Sequence, residues 1–310
     1  MKNSNLFADL HNHSTHSDGV FTPEELVLTA KGEGFRAIAL TDHDTVSGCE
    51  EVRQICARPE VNMEFLFGAE FTAPAEYFRG HFHIVGFDFD PDYPAMREYL
   101  TGMSLRETDQ TRILFERGVA NGFLHDITWQ EVLDLNPGVT WFCNEQVFRA
   151  MKKKGLATDL DYPRFFADVY GVHRGEVPPC YPFLEAREMI ALIHKAGGIA
   201  VLAHPCDQLR YIPRLCEDGL DGLEVWHSLV PGDQRVEALR IAAERGLYVS
   251  GGEDHEGLCR GQYSRYPDPT VLPFYAEPLT LGTTERFFRE LTTRRFEGDR
   301  KAYIESLINE

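Results

Sequence analysis

The chain has 310 residues, of which 43% are hydrophobic and 12% aromatic, so it can bury the core of one large α/β domain or of two domains. Its formal net charge of −18 argues against a broad basic surface that would coat a long polyanion. The charge does not exclude a phosphorylated substrate, because bound metal ions can reverse the local sign inside a cleft.

The cysteines and the N-terminus bear on the cellular location. Seven cysteines are scattered without a short-spaced pair, which is typical of reduced thiols. We see no signal-peptide pattern and no apolar run that approaches the length of a membrane span. We therefore expect a soluble, cytoplasmic protein without a membrane partner.

The first predicted strand leads into three residues of the kind that bind metals. The apolar run 6–10 predicts a buried strand, and His11 and His13 follow it at a spacing of two residues. Both imidazoles therefore project from one side if the chain stays extended, and Asp18 follows in a loop of turn formers. This set suits a divalent transition metal; the alternative is two surface histidines beside a strand.

Two helices are predicted around the second strand. Thr22 is suited to cap a helix that begins at Pro23, and Glu25 completes a capping box. Ser47 is suited to cap a second helix that continues to about residue 57.

Ligand-type residues accompany the next three strands as well. These are the strand 37–40 followed by Asp42 and His43, the strand 63–67 followed by Glu70, and the strand 83–87 with His83 at its start.

The pattern changes to helices alone between about residues 91 and 182. The predicted helices are 93–121, 128–135, 144–155 and 162–170. We predict that 91–182 is an all-helical insertion that caps a site, and that 1–90 and 183–310 form the main domain. The lysine run 152–154 is typical of a solvated helix face.

The alternation of helices and strands then resumes. The strands are 199–203 followed by His204, 223–227 ending at His227, and 247–250 followed by Asp254 and His255. A final strand candidate and the helices 284–294 and 301–308 close the chain.

Seven strands interleaved with helices predict a parallel α/β barrel, in which the chemistry sits at the carboxyl ends of the strands. Those ends carry eight ligand-type residues: His11, His13, Asp42, His43, Glu70, His204, Asp254 and His255. One tetrahedral ion cannot use so many ligands, so we expect two or three ions bridged by a carboxylate such as Glu70 or Asp254.

Such a centre favours chemistry at phosphorus over other reactions. Two ions about 3.5–4 Å apart suit in-line displacement, in which they activate a water and neutralise the phosphoryl oxygens. The strand ends offer no thiolate, which argues against a closed structural zinc site. The sequence contains no Gly-x-Ser-x-Gly elbow and no Gly-x-x-x-x-Gly-Lys phosphate loop.

In their order along the chain, these residues resemble the PHP (polymerase and histidinol phosphatase) family. The resemblance is closest to its small metal-dependent phosphoesterases with a helical insertion. The motifs are His11-x-His13, Asp18-Gly19, Thr41-Asp42-His43-Asp44, Glu70, His83 and Ala203-His204-Pro205. The resemblance implies a distorted (β/α)7 TIM-like barrel with two or three Mn, Zn or Fe ions.

The resemblance also implies a ligand set for each metal. The first metal is matched by His11, His13, Glu70 and Asp254, the second by Glu70 as a bridge and His83, and the third by Asp18, His43 and His204. The last motif departs from the family's Gly-Ser-Asp-x-His, since residues 252–256 read Gly-Glu-Asp-His-Glu. We favour Asp254 as a ligand with His255 as another; shifted by one, Glu253 would replace the aspartate.

Further residues are candidates for catalysis or substrate binding. We assign Asp42, His204 and His255 to catalysis, with Asp42 as a carboxylate that orients an imidazole. Candidate substrate contacts are His16, Arg106, Arg112, His227 and Arg260. The alternative for each arginine is a surface salt bridge.

The leading hypothesis is a metal-dependent phosphoesterase that uses metal-activated hydroxide on a small phosphorylated substrate. A 3′,5′-bisphosphorylated nucleotide or the end of a short oligonucleotide fits the resemblance, and the acidic surface disfavours long duplexes. The alternatives are an amidohydrolase or lactonase, a histidinol-phosphatase-like monoesterase, and a non-enzymatic regulatory module.

Overall fold

The computed structural model describes residues 6–171, 178–254 and 281–308, within which eight strands form one sheet. The strands are β1 (Leu6–Asp9), β2 (Ala37–Leu40), β3 (Glu64–Ala75), β4 (Phe78–Phe87), β5 (Ile199–Leu202), β6 (Gly222–Trp226), β7 (Tyr248–Gly251) and β8 (Thr283–Thr284). Neighbours pair in the order β7-β6-β5-β4-β3-β2-β1-β8.

The α-helices lie between and around these strands. They are α1 (Pro23–Gly32), α2 (Cys49–Cys56), α3 (Pro94–Ala120), α4 (Trp129–Asp134), α5 (Asn144–Lys153), α6 (Tyr162–Phe165), α7 (Ala186–Lys195), α8 (Ile212–Glu217), α9 (Gly232–Arg245), α10 (Glu285–Thr293) and α11 (Arg300–Ile308). In the ranges that the structure describes, no helix is long and apolar enough to cross a membrane.

The two predicted helix starts have different outcomes. Thr22 and Glu25 form the capping box of α1. The prediction for Ser47 is wrong, because Gly48 precedes α2 without a side-chain cap. The Ser47 hydroxyl instead lies 2.8 Å from His16 Nδ1, so it holds the loop that carries the first histidines.

The sheet closes into a distorted barrel, which confirms the predicted fold class. The Leu10 N–H donates to the Gly251 carbonyl (3.1 Å) and the Asp254 N–H donates to the His11 carbonyl (2.9 Å), so the chain after β1 meets the end of β7. Alternate strand residues share an interior cluster with α10: Ala8, Leu10, Ala37, Ala39, Leu66, Val85, Phe87, Ile199, Val201, Ala203, Phe288 and Leu291.

The expectation of an all-parallel sheet is wrong at β4. β3 pairs in parallel with β2 as far as Phe67 and antiparallel with β4 from Gly68, so it continues through Glu70 instead of ending there. β4 is also antiparallel to β5, and the His83 carbonyl accepts from the Ala203 N–H (2.9 Å). Because β4 runs in reverse, the carboxyl end of β5 lies beside the middle of β4, at His83 and Ile84. The prediction that His83 starts its strand is wrong, because β4 begins at Phe78 and His83 lies in its interior.

The segment between β4 and α7 is helical in the part that the structure describes. Its later helices and the π-helical turn Phe166–Gly171 share a hydrophobic cluster that includes Leu114 and Phe148. The first turns of α3 instead pack with the barrel, through Met96 and Tyr99. The division into a barrel at 1–90 and 183–310 and a cap at 91–182 stays a prediction, which the separate cluster supports.

An ion pair outside the barrel mouth gives a pH-dependent prediction. His194 Nε2 of α7 lies 2.7 Å from Asp221 Oδ2, and this hydrogen bond raises the pKa of His194 above 6.5 despite the opposing effect of burial. A histidine with a raised pKa in the folded state stabilises the fold fully below the unfolded pKa, and this contribution disappears as pH rises through the folded pKa. His194→Gln should therefore destabilise the protein at pH 5.5 more than at pH 8.5.

Denaturant unfolding of both proteins across this pH range measures the effect. His125→Gln is the matched control, because His125 is 74% exposed and its nearest carboxylate oxygen, on Asp126, is 3.6 Å away. Equal destabilisation by His194→Gln at both ends of the range would contradict the prediction.

Candidate metal centre

Glu70 lies at the centre of the barrel mouth, where five imidazoles surround its carboxylate. Oε2 is 3.2 Å from His11 Nε2, 3.2 Å from His13 Nε2 and 3.3 Å from His43 Nδ1; Oε1 is 3.0 Å from His83 Nδ1 and 3.1 Å from His204 Nε2. Glu70 is 1% exposed and forms a parallel bridge with His43. The continuation of β3 past its parallel partner therefore brings this carboxylate to the ends of the other strands.

Two further carboxylates stand on either side of Glu70. Asp254 Oδ1 is 3.0 Å from His13 Nε2 and 3.4 Å from His11 Nε2. Asp18 lies 3.5 Å from both His13 Nδ1 and His43 Nε2. Together these side chains form three overlapping groups of potential ligands: His11, His13, Glu70 and Asp254; His43, Glu70 and His83; and His13, Asp18 and His43.

One grouping differs from the one that the resemblance implies. Asp18 and His43 group with His13, whereas His204 contacts the same Glu70 oxygen as His83. The reason is the antiparallel β4, which brings His83 beside the end of β5, with a ring-centroid distance of 5.0 Å to His204. His204 therefore belongs with His83 on one side of Glu70.

Buried polar atoms that have no hydrogen-bond partner among the described residues indicate that these side chains can hold divalent metal ions. His11 Nε2, His13 Nε2 and Glu70 Oε2 are buried without a hydrogen-bond partner in the part of the chain that the structure describes. Buried polar atoms normally have partners, and these three converge within 4.8 Å together with Asp254. Nitrogen and oxygen donors of this kind suit Mn, Fe or Zn.

The local charges shift the pKa values of these ligands. Burial alone would lower the pKa of His11 and of His13, but the neighbouring carboxylates outweigh burial and raise both pKa values well above 6.5. For His43, burial outweighs the carboxylates and lowers the pKa. Burial would raise the pKa of Glu70, yet the surrounding imidazoles hold it well below its usual range. Glu70 therefore stays ionised, as a bridging ligand must.

Glycines allow the ligand loops to approach each other closely. A Cβ at Gly19 would lie 2.3 Å from the His13 carbonyl oxygen, and one at Gly252 would lie 2.3 Å from the His11 nitrogen. Two ligands themselves have positive φ, namely His204 (28°) and Asp254 (56°). Strained backbone of this kind is typical of functional sites.

The structure gives Asp42 a different role from the predicted catalytic one. Its Oδ1 accepts from the Ser14 N–H and the Ser17 hydroxyl, both at 2.6 Å, and its Oδ2 accepts from the Ser14 hydroxyl at 2.8 Å. The carboxylate is fully buried and faces the loop, so it holds the residues between His13 and Asp18. Its hydrogen bonds therefore anchor the loop, and none of those that the structure describes joins it to an imidazole. The predicted orientation of an imidazole by Asp42 stays a prediction.

A cavity of about 340 Å³ opens beside Asp18, His43 and His83. Its other walls come from α3 and the segments that follow it, including Met103, Arg106, Trp141, Asn144, Phe166 and Phe183. Three of the candidate ligands therefore line the same cavity as several aromatic side chains.

The cap helix α5 holds the Asp18 loop from the outside. Gln146 Nε2 donates to the Thr15 carbonyl (3.2 Å) and to the Ser17 carbonyl. Arg149 donates to the Thr15 carbonyl (3.1 Å) and to the Gly19 carbonyl (2.8 Å). Helix α5 therefore helps to hold the loop that carries Asp18.

The candidate substrate contacts separate in space. Arg106 lines the cavity, whereas Arg112 does not, because its guanidinium pairs with Asp109 and Glu116 on an exposed face. His16 is a loop contact and lines a second cavity, of about 370 Å³.

His227 is buried beside Asp254, at 3.1 Å, so the structure does not place it as a substrate contact. His255 and Arg260 lie outside the described residues.

Glu224 is a functional residue that sequence reasoning missed. It is 2% exposed in β6, and both its oxygens lie 3.1 Å from His11 Nδ1. A charged residue within the apolar run Leu223–Trp226 is the pattern that could have revealed it.

Comparisons with known proteins agree with this geometry. A model of the PHP domain matches residues 9–119. A 5′-3′ exoribonuclease of Haemophilus influenzae is 33% identical over 268 residues, covering 81% of this chain and 90% of that protein. A 3′,5′-nucleoside bisphosphate phosphatase of Chromobacterium violaceum is 31% identical over 273 residues, covering 82% and 88%. A crystal structure from Bifidobacterium adolescentis, described as that of a metal-dependent phosphoesterase, has a TM-score of 0.71 and 27% identity, covering 96% and 99%.

Proposed function

Because the chain belongs to the PHP family, we propose that it is a metal-dependent phosphoesterase that hydrolyses a small phosphorylated substrate of the nucleotide type. The observation that carries the proposal is the Glu70 carboxylate, which is surrounded by five imidazoles, two of which, His43 and His83, line the cavity. The expected ions are two or three of Mn, Zn or Fe, held by the three ligand groups around Glu70.

Each part of the site contributes to the reaction. Bound divalent ions supply Lewis acidity and a nucleophile that is available at neutral pH. Asp18, His43 and His83 face the cavity and direct the phosphoryl group of the substrate to the centre. Arg106 is the cation in the cavity that holds phosphoryl oxygens, and its Nε has no hydrogen-bond partner among the described residues. Holding the phosphorus beside the ligands is the contribution of this chain.

The cavity walls support a nucleotide as the substrate. Trp141, Phe166 and Phe183 line the same cavity as the candidate ligands, and aromatic faces stack with nucleobases. The relatives are named for a 5′-3′ exoribonuclease and for a nucleoside bisphosphate phosphatase, both of which act on nucleotide phosphates. The net charge of −18 favours a short substrate over a long duplex. The cytoplasmic location stays a prediction from the cysteine pattern.

A hydrolysis assay with four substrate classes tests the proposal. The metal-stripped protein is supplied with Mn²⁺ or Zn²⁺ and offered p-nitrophenyl phosphate, nucleoside mono- and bisphosphates, short oligoribonucleotides, and amides or lactones. We expect metal-dependent release of phosphate or nucleotides from the phosphorylated classes only. Metal-dependent cleavage of amides or lactones without phosphoesterase activity would overturn the proposal in favour of an amidohydrolase or lactonase.

Arg106 gives a specific prediction about substrate binding. Its guanidinium lies 3.9 Å over the Phe183 ring and donates to the Tyr181 carbonyl, which aims it across the cavity. Arg106→Met should lower kcat/KM by about 10–100-fold, since a charged hydrogen bond is worth roughly 1.5–3 kcal/mol. Steady-state kinetics measure the loss. Arg112→Met, on the same helix but outside the cavity, is the matched control with unchanged kinetics, and equal effects of the two variants would contradict the assignment.

A further inference from the structure

Strand β6 and the residue that follows it provide two buried polar side chains that face the candidate ligands without belonging to the ligand set that the family resemblance implies. Glu224 and His227 are 2% and 1% exposed, respectively. They contact His11, His204 and Asp254, which come from three other parts of the chain. Side chains that contact so many ligands are in a position to orient them.

Glu224 determines which nitrogen of His11 is available to a metal. Both carboxylate oxygens lie 3.1 Å from His11 Nδ1. An ionised carboxylate only accepts hydrogen bonds, so Nδ1 carries the proton and donates it. In the neutral ring, which is the form that can bind a metal, Nε2 then has the lone pair, 3.2 Å from Glu70 Oε2 and 3.4 Å from Asp254 Oδ1. The hydrogen bond therefore turns the His11 ring with its ligand atom toward the other ligands.

The same carboxylate holds the backbone of His204. The His204 N–H donates to Glu224 Oε2 at 2.8 Å. His204 has a φ of 28°, a conformation that non-glycine residues adopt only when the surroundings hold it. With the backbone so fixed, His204 Nε2 lies 3.1 Å from Glu70 Oε1. One buried carboxylate thus orients ligands on both sides of Glu70.

His227 acts on Asp254 in a corresponding way. The Leu229 N–H donates to His227 Nδ1 at 3.0 Å, so this nitrogen is unprotonated and Nε2 carries the hydrogen. Nε2 then donates to Asp254 Oδ2 at 3.1 Å. The other oxygen, Oδ1, faces His11 and His13. His227 therefore positions one carboxylate oxygen and leaves the second for a metal.

We infer that Glu224 in β6 and His227 directly after it are positioning residues, which fix the ligand atoms of His11, His204 and Asp254 before a metal binds. The inference rests on the proposed function for its metal centre. The alternative is that His11, Glu224 and His227 hold an ion of their own, because one potential ligand atom of each lies within 4.8 Å of the others. The alternative conflicts with the hydrogen on His227 Nε2 and with the two oxygens of Glu224 that already accept hydrogen bonds.

Metal binding by Glu224→Gln and His227→Asn tests the inference. Metal-free proteins are titrated with Zn²⁺ in competition with a chromophoric chelator, and the thermal midpoint of each metal-free protein is recorded. We expect each variant to bind Zn²⁺ about 10–100-fold more weakly at unchanged stoichiometry, as loss of an outer hydrogen-bond partner does. In the zinc-loaded wild type, long-range ¹H–¹⁵N spectra should show His11 with a protonated Nδ1.

A matched control separates positioning from stability. Glu290 is a buried glutamate outside the site that pairs with Arg300 (2.6 Å), so Glu290→Gln should lower the thermal midpoint and leave the Zn²⁺ affinity unchanged. Wild-type affinity in both Glu224→Gln and His227→Asn, or a loss of affinity in Glu290→Gln equal to theirs, would overturn the inference. The loss of one equivalent of Zn²⁺ would overturn it too, in favour of the separate ion. These titrations use no phosphate ester, so they test the inference even if the protein does not hydrolyse phosphate esters.

Discussion

Replacing Glu70 with glutamine should lower phosphoesterase turnover by on the order of 10³-fold, well beyond the roughly 10–100-fold that loss of an outer hydrogen-bond partner costs. The carboxylate lies within 3.3 Å of five imidazole nitrogens and belongs to two of the three groups of potential ligands. Glutamine has a neutral amide with a single oxygen, so it cannot bridge two cations as a carboxylate can. The variant should therefore also bind fewer equivalents of metal. Turnover of p-nitrophenyl phosphate and elemental analysis of the same samples measure both effects.

A second glutamate on the same strand provides the control. Glu64 stands at the exposed start of β3, where its carboxylate pairs with Arg289. Glu64→Gln should keep both turnover and metal content, since exposed ion pairs contribute little. A Glu70→Gln protein with wild-type metal content and turnover would remove Glu70 from the centre and with it the bridged arrangement.

The ligands that follow buried strands could be predicted from the sequence alone. β1, β2 and β5 are short runs of apolar residues, and His11, His43 and His204 come within three residues of their ends. In a barrel these ends meet, so polar residues at them converge whatever the details of the helices. This is why the order of apolar runs and ligand-type residues is enough to predict both the fold class and most of the candidate centre.

Other features depend on pairing that the sequence does not display. The residues after Gly68 continue β3 only because β4 returns as an antiparallel partner, and the apolar pattern of each strand is the same for either direction. Likewise, the contact of Glu224 with His11 spans 213 positions along the chain. Its neighbours in sequence indicate burial, whereas its partner is fixed only by the register of the closed barrel.

The helical segment between β4 and α7 shows the same limit for predicting which residues contact the substrate. Its helices could be predicted within one or two residues at most ends from apolar residues at helical spacing, whereas the predicted helix 162–170 ends as an α-helix at Phe165. Which arginine enters the cavity depends on how α3 is rotated against the barrel: Arg106 faces inward and Arg112, six residues later, faces solvent. That rotation follows from the packing of Tyr99 and Met103 against the barrel core.

The second large effect is expected for His204→Asn. Asparagine accepts a left-handed backbone better than most residues, so the φ of 28° and the hydrogen bond from the backbone N–H to Glu224 should survive. The imidazole that stands 3.1 Å from Glu70 Oε1 is lost, and with it one ligand beside His83.

Turnover should therefore fall by more than about 10–100-fold while the fold persists, because that loss is typical when a residue that only hydrogen-bonds to a metal ligand is changed. Excess Mn²⁺ or Zn²⁺ should restore part of the activity, because a weakened site fills by mass action. His194→Asn removes a histidine outside the centre and should keep turnover at pH 8.5. Kinetics at increasing metal concentration distinguish the two variants. A His204→Asn protein with wild-type turnover and metal content would show that His204 is not a ligand. Glu70 and His83 would then hold that side of the centre without it.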